Sequence, residues 1–180
     1  MSDPVLVGLS GSLRGDATNR KLIREAARLF GPARFIEADL RLPLYDGDDE
    51  DADGIPSAVQ LLADQISAAD AVVISTPEYN KAPPGVLKNA LDWISRTNGA
   101  PWRDKPVAVM SAAAGRAGGE RAQSILRAFM VPFRPRILQG PEMHLAASSD
   151  QFDDAGQLTS DIYVKTLREL MQQLRAEADV

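Results

Sequence analysis

The chain has 180 residues, a formal net charge of −5 and 44% hydrophobic residues, enough for one domain with a sizeable core and too apolar for a disordered chain. It has no cysteine and one histidine, His144, which removes disulfides, thiol nucleophiles and thiolate metal sites and argues against a histidine zinc site or a Ser-His-Asp triad. The acidic balance argues against nucleic acid as a main partner, no apolar run approaches the roughly 20 residues of a membrane span, and the Met-Ser-Asp-Pro start lacks the basic and apolar regions of an export signal, so a cytoplasmic location is expected.

In chain order, Val5-Leu6-Val7 opens a buried strand that continues through Gly8-Leu9. The sequence then changes abruptly to Ser10-Gly11-Ser12-Leu13-Arg14-Gly15-Asp16-Ala17-Thr18-Asn19. An amphipathic helix follows, with Leu22, Ile23, Ala26, Ala27 and Phe30 on one face. A loop of small hydroxyl and glycine residues between a strand and a helix offers backbone N–H groups, hydroxyls and the positive end of the helix dipole. Those are the parts of an anion site, most often for phosphate. Arg14 adds a full charge there. The plainer alternative is a capped turn. Neither nucleotide signature fits: no GxxxxGK[ST] is present, and glycines at 8, 11 and 15 do not make GxGxxG.

Ala33 to Ala38 reads as a second strand, and Asp39 to Tyr45 continues in extended form around Pro43. Residues 47–56, GDDEDADGIP, read as a solvated acidic loop. A divalent-metal cluster is the sharper alternative, but the acids are sequential and lack DxDxDG spacing, so no metal site is expected. Ser57 to Ala69 has Val59, Leu62, Ala63 and Ile66 at helical spacing, with Ser57 as N-cap. Ala71-Val72-Val73-Ile74 is a fully buried strand. It ends in Ser75-Thr76-Pro77-Glu78-Tyr79-Asn80-Lys81-Ala82-Pro83-Pro84-Gly85, and Val86 to Ile94 reads as helix. Val107 to Met110 is a fourth strand, followed by Ser111-Ala112-Ala113-Ala114-Gly115-Arg116-Ala117-Gly118-Gly119 and a helix over Glu120–Met130. A weaker strand lies near Arg136-Ile137-Leu138. Ser160 to Ala178 closes the chain as a helix with Tyr163, Leu167, Leu170, Met171 and Leu174 inward.

Strands alternating with helices predict an α/β domain with a parallel sheet. Five strands in this length suit a flavodoxin-like three-layer sandwich of strand order 2-1-3-4-5, one domain over 1–180. Ligands in such sheets bind at the carboxyl ends of the strands, at the switch point between the first and third. The three polar loops after the first, third and fourth strands therefore converge on one crevice. The first supplies anion donors. The second supplies a rigid proline, a carboxylate, an aromatic ring and an amide. The third supplies glycines that let a flat ligand approach the backbone. A planar heterocycle with a phosphate tail fits that set.

The motifs GSLR…N after the first strand and PEYN…PGVLKNALDW after the third resemble those of the NAD(P)H-dependent FMN reductases, the small flavodoxin-like quinone, chromate and ferric reductases. SxxxGxxGG over Ser111 to Gly119 agrees. The resemblance covers Val5 to about Gly119. It implies FMN as cofactor and NADH or NADPH as co-substrate. It also implies that Ser10, Ser12, Arg14 and Asn19 hold the FMN phosphate. Pro77, Glu78, Tyr79 and Asn80 then wrap the edge of the isoalloxazine ring, and Ser111 and Gly115 pass near its pyrimidine side. The sequence departs from the family in two places. Ala17 stands where the family often has serine, with Thr18 as a candidate replacement hydroxyl. Lys81-Ala82 stands where the family usually has Gly or His and then Ser. A lysine there would favour the anionic reduced ring or bind an anionic substrate.

Each candidate has a plainer reading. Tyr79 could be core packing and Glu78 a solvated acid. Leu91 and Trp93 read as helix core or dimer contact. Arg96 could complement the helix dipole or reach an incoming NAD(P)H, and Arg116 could be solvated or touch an anion. His144 reads as packed or exposed. The activity implied is ping-pong: hydride to FMN, then electrons to quinones, chromate, ferric complexes or similar small acceptors, with no protein side chain as acid, base or nucleophile. A homodimer or homotetramer is expected. The rival readings are a flavodoxin-like electron carrier without its own NAD(P)H site, and a flavin-free phosphate-binding or signalling domain.

Overall fold

The computed structural model describes residues 3–180. Its strands are β1 (Val5–Ser10), β2 (Arg34–Ala38), β3 (Ala71–Thr76), β4 (Pro106–Ala112), β5 (Arg136–Ile137) and β6 (Met143–Leu145). They form one parallel sheet in the order β2-β1-β3-β4-β5, with β6 also on β4. The helices are α1 (Thr18–Phe30), α2 (Gly47–Asp53), α3 (Ser57–Ala68), α4 (Gly85–Ile94), α5 (Glu120–Met130) and α6 (Asp161–Glu177). This is the flavodoxin-like arrangement, with a sixth strand added.

The three layers follow from strand alternation. Successive side chains point to opposite faces, and both faces of this sheet are covered. Val7, Leu9, Val72, Ile74, Val107 and Val109 face α3, α4 and α5, against Leu62, Ile66, Leu87, Leu91, Ile94, Leu126 and Met130. Leu6, Val73, Ala108 and Met110 face α1 and α6, against Leu22, Ile23, Ala26, Leu167, Leu170, Met171 and Leu174. Burial on both faces is why β1, β3 and β4 read as continuous apolar runs. β1 and β3 are in direct register from Leu6↔Ala71 to Ser10↔Ser75, and β3 and β4 from Val72↔Val107 to Thr76↔Ser111. Their loops therefore leave the sheet side by side.

Three local expectations change. The fifth strand position is shared by two short pieces. β5 pairs with the start of β4 at Pro106 and Val107, and β6 pairs with its end at Met110 to Ala112. The intervening segment holds the cis Gly140–Pro141 bond. The acidic stretch is not a loop: it contains α2. The Asp46 side chain accepts from Asp48 N at 2.9 Å, and Asp48, Asp49 and Glu50 occupy the first turn, where the helix dipole favours acids. No α2 residue is buried, so it had no apolar period to read. The N-cap of α3 is Pro56, which makes no side-chain cap, and Ser57 is the first helical residue. Among the described residues there is no group of three or more His, Cys, Asp or Glu placed to hold a metal ion, and no helix is long and apolar enough to cross a membrane.

Candidate functional site

The loop after β1 is tied to β3 by Gly11 N–H donating to Ser75 O at 2.9 Å. A Cβ on Gly11 would lie 2.7 Å from Leu87, 2.8 Å from Pro77 and 2.9 Å from Pro84. Only glycine lets this loop pass so close beneath the next one. Ser10 turns the backbone: its Oγ accepts from Ser12 N at 3.2 Å and donates to Ser12 O at 3.1 Å. α1 begins without a side-chain cap, because Ala17 stands at the N-cap. Its first N–H groups belong to Thr18 and Asn19, which line the crevice, and the dipole there favours an anion. Arg14 is exposed and, among the described residues, makes no ion pair. Asn19 is buried. Its Nδ2 donates to Ala112 O at 2.9 Å, and its Oδ1 accepts from Ala112 N at 3.1 Å and Ser75 Oγ at 2.7 Å.

The loop after β3 makes a tight hairpin. Tyr79 and Ala82 exchange N–H···O bonds of 2.9 and 3.1 Å, and the two residues between them, Asn80 and Lys81, are left-handed at φ 51° and 67°. That is the pattern of a two-residue hairpin turn of the primed type. Asn80 suits the left-handed region; lysine does so less readily. Pro77 is buried and Tyr79 is 50% exposed, so Tyr79 is not core packing. Glu78 Oε2 accepts from Ala122 N at 3.3 Å, and Lys81 Nζ lies 3.9 Å from its other oxygen.

The loop after β4 is built around two left-handed glycines, Gly118 and Gly119, at φ 59° and 88°. A Cβ on Gly118 would meet His144 backbone at 2.6 Å. Ser111 is fully buried; its Oγ donates to Gly118 O at 2.5 Å and accepts from Gln123 Nε2 at 3.0 Å. It closes the loop and does not line the crevice. Beyond β6, Ser148 is buried, with its Oγ 3.0 Å from Thr18 Oγ1 and its N–H donating to Ala113 O at 3.1 Å.

These loops enclose a crevice of about 510 Å³, within the usual range of small-molecule sites. Of the residues expected from sequence, it brings together Ser12, Arg14, Thr18, Asn19, Pro77, Glu78 and Tyr79. Ser10 sits behind the wall, in a smaller cavity of about 110 Å³ with Arg20 and Glu37. Asn80, Lys81 and the exposed Gly115 lie outside the lining, as does Arg116. Arg96 is not brought to the crevice: its guanidinium is bound to Glu50 at 2.9 and 3.0 Å. Leu91 and Trp93 are buried within the chain, Trp93 against the Tyr45 ring. His144 is half-buried on β6. A groove of about 620 Å³ between the C-terminal ends of α4 and α5 is larger. It contains none of the strand-end loops, so the donor set favours the crevice.

Sequence reasoning did not single out Asp16, Lys21, Ser148, Ser149 and Ala112 to Ala114 as site residues; with Ala17 they complete the lining. Met143-His144-Leu145 followed by Ala146-Ala147-Ser148-Ser149 has the same signal as the other strand ends: an apolar run passing into small hydroxyl residues. Three residues are too few for that signal to stand out. Chemically, the lining combines the first residues of α1, the hydroxyl residues Ser12 and Thr18, the cations Arg14 and Lys21 and the carboxylates Asp16 and Glu78 with the small Ala112 to Ala114 and the Tyr79 ring. A phosphate tail and a flat ring suit that set.

Residues 4–150 match the family model for NADPH-dependent FMN reductase. The chain is 44% identical to an NAD(P)H-dependent FMN reductase of Pseudomonas aeruginosa over 176 residues, covering 96% of this chain and 92% of that protein. It is 39% identical to a quinone reductase of Escherichia coli over 140 residues, 76% of this chain and 74% of that one. Among solved structures it is similar to the flavoenzyme NAD(P)H:(acceptor) oxidoreductase of Paracoccus denitrificans. The TM-score is 0.88 and the identity 30%, with 98% of this chain and 97% of that one covered.

Proposed function

The chain belongs to the NADPH-dependent FMN reductase family, and on that premise we propose that it is an FMN-dependent oxidoreductase that accepts hydride from NADH or NADPH and passes the electrons, in a separate half-reaction, to quinones, chromate, ferric complexes or similar small acceptors. Bound FMN supplies the redox chemistry. The chain's own residues bind, orient and exclude water. Arg14, Ser12, Thr18 and the first N–H groups of α1 would hold the phosphate, with Ser148 supporting Thr18 from the far side. Ala112 to Ala114 would give the ring a wall without projecting side chains, and Pro77, Tyr79 and Asn80 would close its edge, with the Glu78 carboxylate turned to Ala122 N. Gly115 and Lys81 are exposed and lie outside the lining; Lys81 would attract an anionic acceptor. No side chain is required as acid or base.

The single observation behind this reading is the convergence of the β1, β3 and β4 loops on one crevice whose lining includes Ser12, Arg14, Thr18 and Lys21. The purified protein is expected to be yellow with FMN absorption. It should bleach on addition of NADH or NADPH without air and recover its colour on addition of a quinone. Parallel double-reciprocal plots for the two substrates would support the two-step order. A protein that binds no FMN, or whose bound FMN is not bleached by either nucleotide, would sink the proposal; the second result would favour an electron carrier. The reading also takes residues 1–180 as one FMN-binding domain in a cytoplasmic homodimer or homotetramer, which sedimentation of the flavin-loaded protein would check.

A further inference from the structure

Helix α5 begins without any cap of its own. Its N-cap is Gly119, which has no side chain to offer. That glycine is held in place by its surroundings: its φ is 88°, and a Cβ would lie 2.8 Å from Ser111 Cβ. A serine or aspartate cap is therefore sterically barred at the one position where it would normally act. Gln123 N donates to Gly119 O, but Ala122 N, in the third helical position, finds its acceptor in Glu78 Oε2 at 3.3 Å. Glu78 belongs to the β3 loop, 44 positions away in sequence. Its side chain is only 14% exposed, and it lines the crevice. A carboxylate at a helix N-terminus is also favoured by the dipole.

We infer that Glu78 is a positioning residue that caps α5 from the β3 loop and so sets the separation of the β3 and β4 loops, the two walls between which the flavin ring would lie. This rests on the FMN reading above. Glu78 acts through Ala122, not by touching the ring. Its peptide is fixed on the other side by buried Pro77 and by the Tyr79–Ala82 hairpin. The carboxylate therefore joins a rigid turn to the first turn of a helix, and the glycine-rich segment 115–119 is held between them. Lys81 Nζ lies 3.9 Å from the other carboxylate oxygen with its side chain largely exposed, and it takes no part in the Ala122 bond.

The test compares Glu78→Ala and Glu78→Gln with the parent in two measurements. Amide exchange by NMR on the flavin-free protein reads the cap directly, because Ala122 N–H depends on Glu78 for its acceptor. Glu78→Ala is expected to speed exchange at Ala122 at least tenfold while β1 and β3 amides stay protected. Glu78→Gln keeps an acceptor oxygen and should restore protection to within about threefold. FMN titration by fluorescence quenching reads the positioning. Glu78→Ala should weaken binding at least tenfold, and Glu78→Gln should recover most of it. Weakened FMN binding with unchanged exchange at Ala122 would mean direct contact with the ring and would overturn the inference. So would faster exchange with unchanged FMN affinity, since the cap would then position nothing. If the parent itself binds no FMN, the functional reading fails, and the positioning role fails with it; the exchange result alone then reports whether the cap exists.

Discussion

Asn19 stands at the start of α1 and holds three structural pieces with one amide. Its two bonds to the Ala112 backbone and one from Ser75 join α1 to the ends of β4 and β3. All of this is buried, so truncation leaves several polar groups without partners, each costing about 1–3 kcal/mol. Asn19→Ala is expected to destabilise the protein by about 3 kcal/mol, read as a lower urea midpoint, and to loosen the crevice as a consequence. Arg14 is the contrasting case: exposed, unpaired among the described residues, and beside the α1 N-terminus. Arg14→Ala should leave the urea midpoint unchanged and weaken FMN by about 1.5–3 kcal/mol, the scale of a hydrogen bond to a charged group. Equal FMN affinity in parent and variant would remove Arg14 from the phosphate site.

At the scale of elements, the segment from Pro43 to α2 is latched onto α4. Asn89 and Trp93 both donate to Pro43 O, at 2.9 and 2.8 Å, and Asn89 Oδ1 accepts from Tyr45 N at 2.9 Å. The Tyr45 and Trp93 rings meet edge to face at 5.0 Å. Glu50 then accepts from Arg96 and from the Tyr45 hydroxyl. Arg96 therefore holds α2 to the end of α4. The Arg96 hydrogen bond, with the Tyr45 bond adding to it, holds the Glu50 carboxyl below its ordinary value, and the phenol of Tyr45 is raised by the same bond to Glu50. A carboxyl whose folded-state pKa is depressed stabilises the fold above its unfolded value. That contribution is lost as pH falls through the folded value. Glu50→Gln should therefore lower the melting temperature at neutral pH, and the difference from the parent should disappear under acid conditions. A difference of the same size at all pH values would show that the ion pair does not hold the latch.

For the whole molecule, the sheet separates two cores, and its centre tolerates little added volume. Gly8 lies mid-strand in β1 between Val7↔Val72 and Leu9↔Ile74. A Cβ there would lie 2.8 Å from the Phe35 ring and 3.2 Å from Ile23. Gly8→Ala must displace the Phe35 ring and crowd Ile23, at a cost of about 1–3 kcal/mol for overpacking. A lower urea midpoint with flavin content retained is the expected result. An unchanged or raised midpoint would mean that Phe35 rotates away freely. The same packing explains how so small a chain keeps its strand ends fixed: β1, β3 and β4 are buried on both faces, so their loops have firm bases from which to converge.

The sequence by itself determined the layers, the strand order and the three loops at the β1, β3 and β4 ends. These depend on runs and periods long enough to read locally, and on a topological rule that turns strand order into a crevice. The GSLR and PEYN motifs added the cofactor class. What only the tertiary structure decided are the pairings between distant residues. α2 was hidden because a helix with no buried face has no period. β6, and with it Ser148, was hidden because three residues carry too little pattern. Arg96 was drawn to Glu50, and Ser111 to Gly118 and Gln123, through contacts that no spacing announces. Glu78 was legible as a crevice residue, but its bond to Ala122 follows from the strand register and the turn of the β4 loop. A side chain's type is written in the sequence; which partner takes its hydrogen bonds is settled only when the chain is packed.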